Sequence, residues 1–544
     1  MRAASLSATL IVAALAALAG CGGSPGGAGA ASGTAGGPML VRGGGPDPDS
    51  LDPQKVRGFE AQGIVRDLCE GLTTLDSHGA VAPGVASRWS VSADGRVYTF
   101  TLRPEARWSN GDRVVAADFV AGLRRLVDPA TASGYAQYAD VITNTDDIVA
   151  GRKPVEALGI SAPEDATLVV TLAAPAPYLP SLLSHPSTCP VHRPTLKEHP
   201  DTYARAGVMV SDGAFVLQEW VQGSYVLLSR NPRYWNDAAT HLQAVKYLIT
   251  PDENAELARY RGGELEVTAV VPRGQFDWIR EHLPKELHVS PQLTTYYYGF
   301  NLRRPPFAAQ PQLRRALSLA IDREKLTALV LRVGELPAYG WVPPGIDGYT
   351  PQSFDYKGEP MDKRIAEAQR LYAQAGYSRA RPLAFELRYN SGEVHTKLAL
   401  AIASMWKEAF GIEVRLTQVE FKTLLDDIDR GDVEMFRSSW VGDYNDAYTF
   451  AQYLKGDFGL NLPHYKSAAY DALLTRAAAE VDGAQRRALL QEAERVMLAD
   501  TPLIPLYFYV NKHLVKPQVL GWYDNVMNVT YSKDLALSSA GQDR

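Results

Sequence analysis

The sequence predicts a mixed α/β fold that is divided into more than one domain. At 544 residues the chain is too long for one ordinary hydrophobic core, so it should form at least two domains. Strand-like and helix-like segments are interleaved along it, and several strand pairs are joined by short turns, which is typical of antiparallel hairpins. A purely parallel, doubly wound sheet is therefore not expected.

The composition is that of a globular protein and argues against a nucleic-acid partner. Hydrophobic residues make up 46% of the chain and charged residues 21%. The 27 tyrosines and 9 tryptophans are enough both to fill cores and to line a cleft. The formal net charge is -6, the wrong sign for binding a phosphate backbone.

The N-terminal segment has the pattern of an export signal. Arg2 precedes an apolar run over residues 10–19, which is shorter than the ~20 residues that a membrane span needs. Leu18-Ala19-Gly20-Cys21 follows and resembles a bacterial lipobox. Residues 1–20 are therefore predicted to be a lipoprotein signal peptide, with lipid attached to Cys21. The Gly, Ala and Ser-rich residues 21–37 are predicted to be a flexible tether.

Two cysteines, Cys69 and Cys189, remain in the exported body. An exported pair can be oxidised, but their separation in sequence does not tell whether the two residues meet in the fold. Two buried free thiols are favoured over a disulfide.

The elements are predicted in chain order from hydrophobic periodicity and turn residues. Strands are predicted over 39–42, 85–102 (a hairpin with its turn at 93–96), 167–172, 213–217, 225–229, 412–417 and 433–441, with an apolar segment at 502–510. Helices are predicted over 64–72 (ended by Gly71), 116–126, 311–330, 397–410 and 484–499.

The segment 433–446 carries one cation and one anion near the end of a predicted strand. Period-2 alternation places Arg437 and Asp443 on one face, at most ~20 Å apart at about 3.3 Å per residue. An extended zwitterion, with an amine at one end and a carboxylate at the other, would fit between them. A strand that ends in charged residues is most often one that ends at water, so this pattern alone does not establish a site.

Several segments, in this order and spacing, resemble the oligopeptide-binding proteins, the extracytoplasmic solute-binding proteins (family 5) of peptide ABC importers. The resemblance covers residues 39–537. Its carriers are Ser50-Leu51-Asp52-Pro53, Arg66-Asp67-Leu68-Cys69-Glu70-Gly71-Leu72, Trp108-Ser109-Asn110-Gly111, Tyr296-Tyr297-Tyr298, Pro337-Ala338-Tyr339-Gly340, residues 440–445 and Val510-Asn511.

The resemblance implies a bilobal, periplasmic-binding-protein type II-like fold with an extra third domain. Lobe I would comprise residues 38–69, 191–293 and 511–537, the extra domain residues 70–190, and lobe II residues 294–510. Chain crossings between the lobes would act as a hinge that closes around a ligand.

The resemblance also implies a set of peptide-binding residues. Asp443 matches the position that holds the ligand's α-ammonium, Arg437 one that receives its C-terminal carboxylate, and His395 another used for longer ligands. Trp440 and Tyr297 would line the cleft. The peptide backbone would pair with Arg57, Gly58 and Phe59 on one lobe and with Ser439, Trp440 and Val441 on the other, while Phe421 stands where a pocket tryptophan is common.

The implied partners are an oligopeptide, the permease and ATPase of an ABC importer, and a membrane reached through lipid on Cys21. The expected location is the periplasmic side of a bacterial membrane. A monomer is expected, with no cofactor, no metal and no enzymatic activity.

The chain departs from the family pattern at four positions. The position of a cation that some members use for the shortest ligands is occupied by Leu331, which argues against binding of dipeptides. Arg57 replaces an acidic residue. A cysteine pair of enteric members falls on Thr294 and Val441, so that crosslink is absent.

Two alternative functions remain open. The acidic cluster Asp426, Asp427, Asp429, Asp432 and Glu434 could suggest a metal or acid–base site, although such a run is more often a solvated helix end. Related proteins bind dipeptides, metal chelates, haem, sugars or peptide signals, and the paired charges of Asp443 and Arg437 favour a zwitterionic peptide.

Overall fold

The computed structural model describes residues 37–538, and the strands and helices below belong to that part of the chain. The strands are β1 (Met39–Gly43), β2 (Thr73–Leu75), β3 (Val81–Pro83), β4 (Ala86–Val91), β5 (Val97–Leu102), β6 (Ile160–Glu164), β7 (Thr167–Thr171), β8 (Phe215–Val221), β9 (Tyr225–Arg230), β10 (Ala244–Leu248), β11 (Leu287–Phe300), β12 (Leu336–Pro337), β13 (Glu386–Asn390), β14 (Arg415–Val419), β15 (Met435–Val441), β16 (Leu503–Leu514), β17 (Val519–Leu520) and β18 (Ala536–Leu537).

The α-helices pack around these strands. They are α1 (Phe59–Leu68), α2 (Ala116–Val127), α3 (Thr145–Val149), α4 (Leu179–Leu182), α5 (Arg193–Glu198), α6 (Glu253–Arg261), α7 (Phe276–His282), α8 (Pro311–Leu319), α9 (Arg323–Lys325), α10 (Met361–Gln374), α11 (Glu393–Phe410), α12 (Phe421–Arg430), α13 (Tyr448–Ala451), α14 (Ala468–Ala479) and α15 (Gly483–Asp500).

Three larger sheets organise the chain, and they mix parallel and antiparallel pairing. Their strand orders are β1-β10-β9-β8, β4-β5-β7-β6 and β12-β16-β11-β15-β13-β14. β1 runs parallel to β10, and β13 runs parallel to both of its neighbours, while the other strand neighbours in these sheets are antiparallel. The predicted mixed α/β fold class is confirmed.

Each large sheet has its own hydrophobic cluster. One cluster is built from buried side chains between Leu72 and Leu183, and a second from side chains between Leu293 and Val526. A third draws on three separate stretches of chain, around Leu40, Phe215 and Leu535. Burial of apolar surface therefore stabilises three distinct parts of the structure, one of which is discontinuous in sequence.

The two longest strands, β11 and β16, run from the cluster between Leu293 and Val526 to a fourth cluster, in which Leu514 packs with Tyr260 and Phe276. Their antiparallel pairing runs from Leu287 opposite Leu514 to Pro291 opposite Val510, and it resumes with Thr295 opposite Phe508. The ladder is thus interrupted between Pro291 and Thr295. Such an irregularity removes regular backbone pairing locally and leaves the strands freer to bend there.

Most of the predicted elements are present, but two helices differ from the prediction. The helix expected over 311–330 stops at Leu319, and Asp322 caps a new short helix by accepting a hydrogen bond from the backbone N–H of Lys325 at 3.0 Å. A π-helical turn, Leu326–Leu331, follows. The helix expected over 64–72 instead begins at Phe59 and ends at Leu68.

The prediction of two free thiols is wrong. Cys69 and Cys189 form a disulfide, with their Cα atoms 6.3 Å apart. Cys69 follows α1 directly, and Cys189 ends the short turn Pro186–Thr188 that packs beside it. The fold brings together two positions whose separation of 120 residues gave no information about distance.

No helix within residues 37–538 has both the length and the apolar character needed to cross a membrane.

Candidate functional site

The candidate site is built on a strand edge that is only partly paired. β15 pairs along its whole length with β11, from Thr294 opposite Val441 to Phe300 opposite Met435. Its other edge pairs with β13 only at Met435 and Phe436. In the described part of the chain, no strand pairs with that edge from Arg437 onward. Unpaired backbone N–H and C=O groups on a sheet edge are able to pair with an added strand.

Arg437 stands at the start of this open edge as a buried cation. Its guanidinium donates to Asn390 Oδ1 at 3.0 Å and to the Tyr509 hydroxyl at 3.5 Å, and its carbon lies 4.5 Å from the centre of the Tyr296 ring. Arg437 forms no ion pair with any described residue, and its Nε–H has no hydrogen-bond partner there. Because a buried charge is costly without an opposite charge, this site is suited to an anionic group.

His395 lies beside Arg437 in the first turn of α11. Its Nδ1 is 3.1 Å from the Tyr296 hydroxyl, and the two rings are stacked with centroids 5.6 Å apart. Burial, and then the positive charge of Arg437, lower the pKa of His395 to about 4. The imidazole is therefore neutral near neutral pH, and it offers a hydrogen bond and no positive charge.

Asp443 lies just beyond the other end of the open edge. β15 ends at Val441, and Gly442 allows a close turn, because a Cβ there would lie 3.0 Å from Thr449 Cγ2. The Asp443 backbone N–H then donates to Thr449 Oγ1 at 3.2 Å, and its carbonyl accepts from the Tyr138 hydroxyl at 3.0 Å. The alternation predicted to run through to Asp443 therefore stops at Val441.

The Asp443 carboxyl is largely removed from water without gaining a cation. Among residues 37–538 it takes part in no ion pair. Burial alone raises its pKa to about 6. An ammonium brought against it would restore the charged form and gain a charge-assisted hydrogen bond.

Trp440 lines the same region as Asp443. Its indole N–H donates to the Thr449 carbonyl at 2.8 Å, and its ring lies 4.7 Å from that of Tyr453. The indole, fixed by both contacts, forms one wall of a cavity of about 290 Å³ that also contains Asp443. The fixed ring gives the cavity a rigid apolar face.

Tyr297 is placed differently from the expectation that it lines the cleft. It is completely buried, its hydroxyl is hydrogen-bonded to that of Tyr453, and its ring packs edge-on against Trp341. The neighbouring Tyr296, on the opposite face of β11, is the residue that contacts Arg437 and His395. Sequence alternation alone could not tell which tyrosine of the triplet faces the site.

The remaining positions of the β15 edge are accessible. Ser439 is half-buried opposite Tyr296, and Val441 has 57% of its surface exposed. Thr294 lies directly opposite Val441, so the two positions matched to the enteric cysteine pair are neighbours here.

Arg57, Gly58 and Phe59 do not form the strand that the resemblance implied. Gly58 is extended, with φ -66° and ψ 138°, and it precedes Phe59, the first residue of α1. The Arg57 carbonyl accepts a hydrogen bond from the Tyr135 hydroxyl at 2.9 Å. The turn that carries Tyr135 also carries Tyr138, so one short segment contacts both Arg57 and the end of β15.

Phe421 and the acidic cluster do not line the cavity that contains Asp443. Phe421 is the first residue of α12 and is 49% exposed. In the acidic cluster, Asp427 is paired with Arg388 at 2.6 Å and also with Arg430. Asp432 is also paired with Arg430, at 2.9 Å, so part of the cluster is balanced by neighbouring cations.

Leu331, where some members have a cation, is buried, and Arg332 next to it is exposed. Arg332 is paired with Asp277 at 2.5 Å. The predicted lipidation site, Cys21, lies outside the described residues.

The cavity beside Asp443 includes residues that the sequence did not single out. Asp140, Tyr178 and Tyr444 line it, and the rings of the two tyrosines are stacked with centroids 4.7 Å apart. These side chains come from distant parts of the chain and are brought together only by tertiary packing, so no local periodicity indicated them.

The chain matches one family model and is similar to several known proteins over most of its length. The family model "Bacterial extracellular solute-binding proteins, family 5 Middle" matches residues 80–461. The chain is 40% identical over 500 residues to the periplasmic oligopeptide-binding protein OppA of Escherichia coli (strain K12), covering 91% of this chain and 92% of that protein. It is 41% identical over 496 residues to the probable deoxycholate-binding periplasmic protein YgiS of the same organism, with the same coverage of the two chains.

Two solved structures are also similar. The unliganded open form of MppA, a periplasmic murein tripeptide-binding protein, matches with a TM-score of 0.88 at 36% identity, covering 92% of this chain and 98% of that one. Haemophilus influenzae OppA in complex with the peptide RPPGFSPFR matches with a TM-score of 0.69 at 36% identity, covering 92% and 99%.

Proposed function

Because the chain belongs to family 5 of the bacterial extracellular solute-binding proteins, a class of binding proteins and not of enzymes, we propose that it captures short peptides and delivers them to an ABC importer. The peptide would lie extended along the open edge of β15. Its backbone would form hydrogen bonds there, and its two charged ends would be held separately. Because every peptide presents the same backbone groups, binding would depend little on most side chains.

One observation carries this proposal: the open edge is bounded by two uncompensated charges of opposite sign. Arg437 stands at its start and Asp443 just past its end, and neither is paired with another described residue. A zwitterionic, extended ligand satisfies both charges and the backbone edge between them. An ordinary surface strand would leave its charged residues in water and not partly buried.

The carboxylate end would be the adjustable one. Arg437 and His395 both contact Tyr296, so ligands of different length could place their carboxylate on the cation or beside the neutral imidazole. In the second case His395 would donate a hydrogen bond, or take up a proton as the ligand binds.

The same family relationship supports the proposed lobes. We assign residues 38–69, 191–293 and 511–537 to lobe I, residues 70–190 to the extra domain and residues 294–510 to lobe II. The separate hydrophobic clusters support these boundaries, and the interruption of the β11–β16 ladder between Pro291 and Thr295 is the proposed hinge. Greater similarity to the open MppA than to the peptide complex of OppA supports an open, ligand-free state.

The location follows from the relatives and from the N-terminal motif. The named relatives are periplasmic, and we propose the same compartment for this chain. Lipid on Cys21 would hold the protein at a membrane, with residues 21–37 as the tether. The importer's permease and ATPase would be its partners, and the protein would act as a monomer.

Deoxycholate is the second candidate ligand, because one relative is named for it. Deoxycholate has a single negative charge and no cation. It would pair with Arg437 and leave the Asp443 carboxyl buried without a partner. A peptide satisfies both groups, and for that reason we favour it.

Ligands carried through purification test the proposal. The protein without residues 1–21 would be purified from cells and unfolded, and the released molecules would be identified by mass spectrometry. Peptides of a few residues with varied side chains are expected. Recovery of a bile acid alone, together with no heat of binding when an alanine tripeptide is titrated into the refolded protein, would refute peptide binding.

A further inference from the structure

The cavity beside Asp443 has the size and the position of a pocket for one side chain. It encloses about 290 Å³ and lies between the segment containing Gln137 and Leu182 and the segment containing Trp440 and Leu460. Ligand cavities in proteins usually start at about 300 Å³, so this one suits a side chain and not a whole ligand.

Two carboxyls face this cavity, and no cation accompanies either of them. Asp140 and Asp443 both line it, and within residues 37–538 neither takes part in an ion pair. Asp446, which is nearby, is already paired with Arg486 at 2.5 Å. Burial, and then the charges of Asp146 and Asp443, raise the pKa of Asp140 to about 6.

The buried hydroxyl of Tyr444, in the same cavity, lacks a hydrogen-bond partner among the described residues. Tyr444 has only 3% of its surface exposed. Its ring is fixed by stacking on Tyr178. Buried hydroxyls nearly always have a partner, so a ligand group that donates hydrogen bonds would complete the site.

We propose that this cavity receives the side chain of the peptide's first residue and that it selects a basic side chain, that of lysine or arginine. This inference rests on the proposed function. The α-ammonium held by Asp443 and the first side chain leave the same Cα atom, so that side chain must lie close to Asp443. Asp443 is part of the cavity wall, and Asp140 and the Tyr444 hydroxyl offer a second cation its own acceptors.

Charge balance explains the preference. A peptide with a neutral first side chain brings one cation to two carboxyls, so the carboxyl of Asp140 is left without a counter-ion. A lysine or arginine brings two cations, and both carboxyls can be ionised and paired. The selection therefore acts only on the first residue, while the rest of the peptide is held by its backbone.

Two tripeptides that differ only in one charge test this. Lys-Ala-Ala and norleucine-Ala-Ala have first side chains of similar length, and calorimetry at about pH 7 would give both affinities. The wild-type protein and an Asp146→Asn variant, which removes an exposed carboxylate outside the cavity, are expected to prefer the lysine peptide at least about tenfold. In Asp140→Asn the preference should fall to about twofold or less, with the norleucine peptide bound as in wild type. The Tyr444→Phe variant should show a smaller preference for the lysine peptide than the wild-type protein does.

Each other outcome overturns the inference in a recognisable way. Equal affinities in the wild type, or a preference that survives Asp140→Asn, refute basic selection while leaving peptide binding intact. If Asp140→Asn loses both peptides, the Tyr444→Phe variant decides, since an undiminished lysine preference there also refutes the site. Absence of binding by either peptide to the wild-type protein refutes the proposed function itself.

Discussion

Asp443 gives the sharpest prediction, because amine binding requires its carboxyl to be ionised. Burial raises the pKa of Asp443 to about 6 in the free protein, whereas an ammonium against it stabilises the charged form. Below that pKa the protein must release a proton before it can hold the amine, so affinity falls as the pH falls. A peptide's α-amine, with an ordinary pKa of about 8, loses its charge on the alkaline side. Affinity should therefore be highest between about pH 6 and pH 8.

The size of the effect follows from these values. One unit below the pKa only about a tenth of the carboxyls are ionised, so the apparent Kd of an alanine tripeptide should rise about tenfold near pH 5, equivalent to about 1.4 kcal/mol. N-acetylation of the peptide, or Asp443→Asn, should weaken binding at least about tenfold near pH 7. In the Asp443→Asn variant the affinity should also no longer fall as the pH is lowered from about 6 to 5. Titration calorimetry in buffers of different ionisation enthalpy would count the released proton directly.

The neighbouring titratable groups can be separated from Asp443. The pKa of His395 is about 4, so this residue does not change charge between pH 5 and 7. Asp140, in the same cavity, has its pKa raised to about 6, and Asp140→Asn must therefore retain most of the fall in affinity at low pH. Asp457→Asn removes an exposed carboxylate from the same region and should change nothing. Equal affinity for free and acetylated peptides, or constant wild-type affinity from about pH 7 to pH 5, would refute the assignment of Asp443.

Three further changes test other parts of the structure. Arg437→Met should weaken binding of free peptides by at least about tenfold and leave C-terminally amidated peptides almost unaffected, and an equal loss for both in calorimetry would contradict its role. Replacing Cys69 and Cys189 by alanine should lower the free energy of unfolding by about 2–4 kcal/mol, with denaturant midpoints that no longer respond to reductant. Gly442→Ala would bring a methyl group within 2.8 Å of Phe450 and should cost about 1–3 kcal/mol, whereas Gly274→Ala, whose surroundings are open, should melt like the wild type.

Elements with strong local patterns could be predicted from the sequence. The hairpin predicted over 85–102, the strands predicted over 213–217 and 225–229, and the helix Ala116–Val127 lie close to their predicted positions. Alternation and turn residues act over a few neighbours, so such elements can be predicted locally. The helix over 311–330 was predicted too long because its apolar periodicity continues past the point where Asp322 caps a new helix. Its capping hydrogen bond, and not its hydrophobic pattern, decides where the chain turns.

The long-range contacts of the site could not be predicted in the same way. The disulfide joins positions 120 residues apart, and Asp140 and Asp443, which line one cavity, are even more distant in sequence. Which of Tyr296 and Tyr297 faces Arg437 depends on the register between β11 and β15. The family resemblance indicated the charged residues, but only packing determines which neutral groups surround them.

The two ends of the open edge are held by residues from different parts of the chain. This difference suggests how one site could accept peptides of several lengths. At the amine end, residues from the extra-domain segment hold the chain around Asp443: Tyr138 donates to its carbonyl and Tyr178 stacks on Tyr444. At the other end, Arg437 is held only by groups assigned to lobe II. Because contacts between the two proposed domains would fix the amine end, a peptide's first residue would take a constant place. The carboxylate end would then vary with peptide length, so selection by side chain is expected at the first residue.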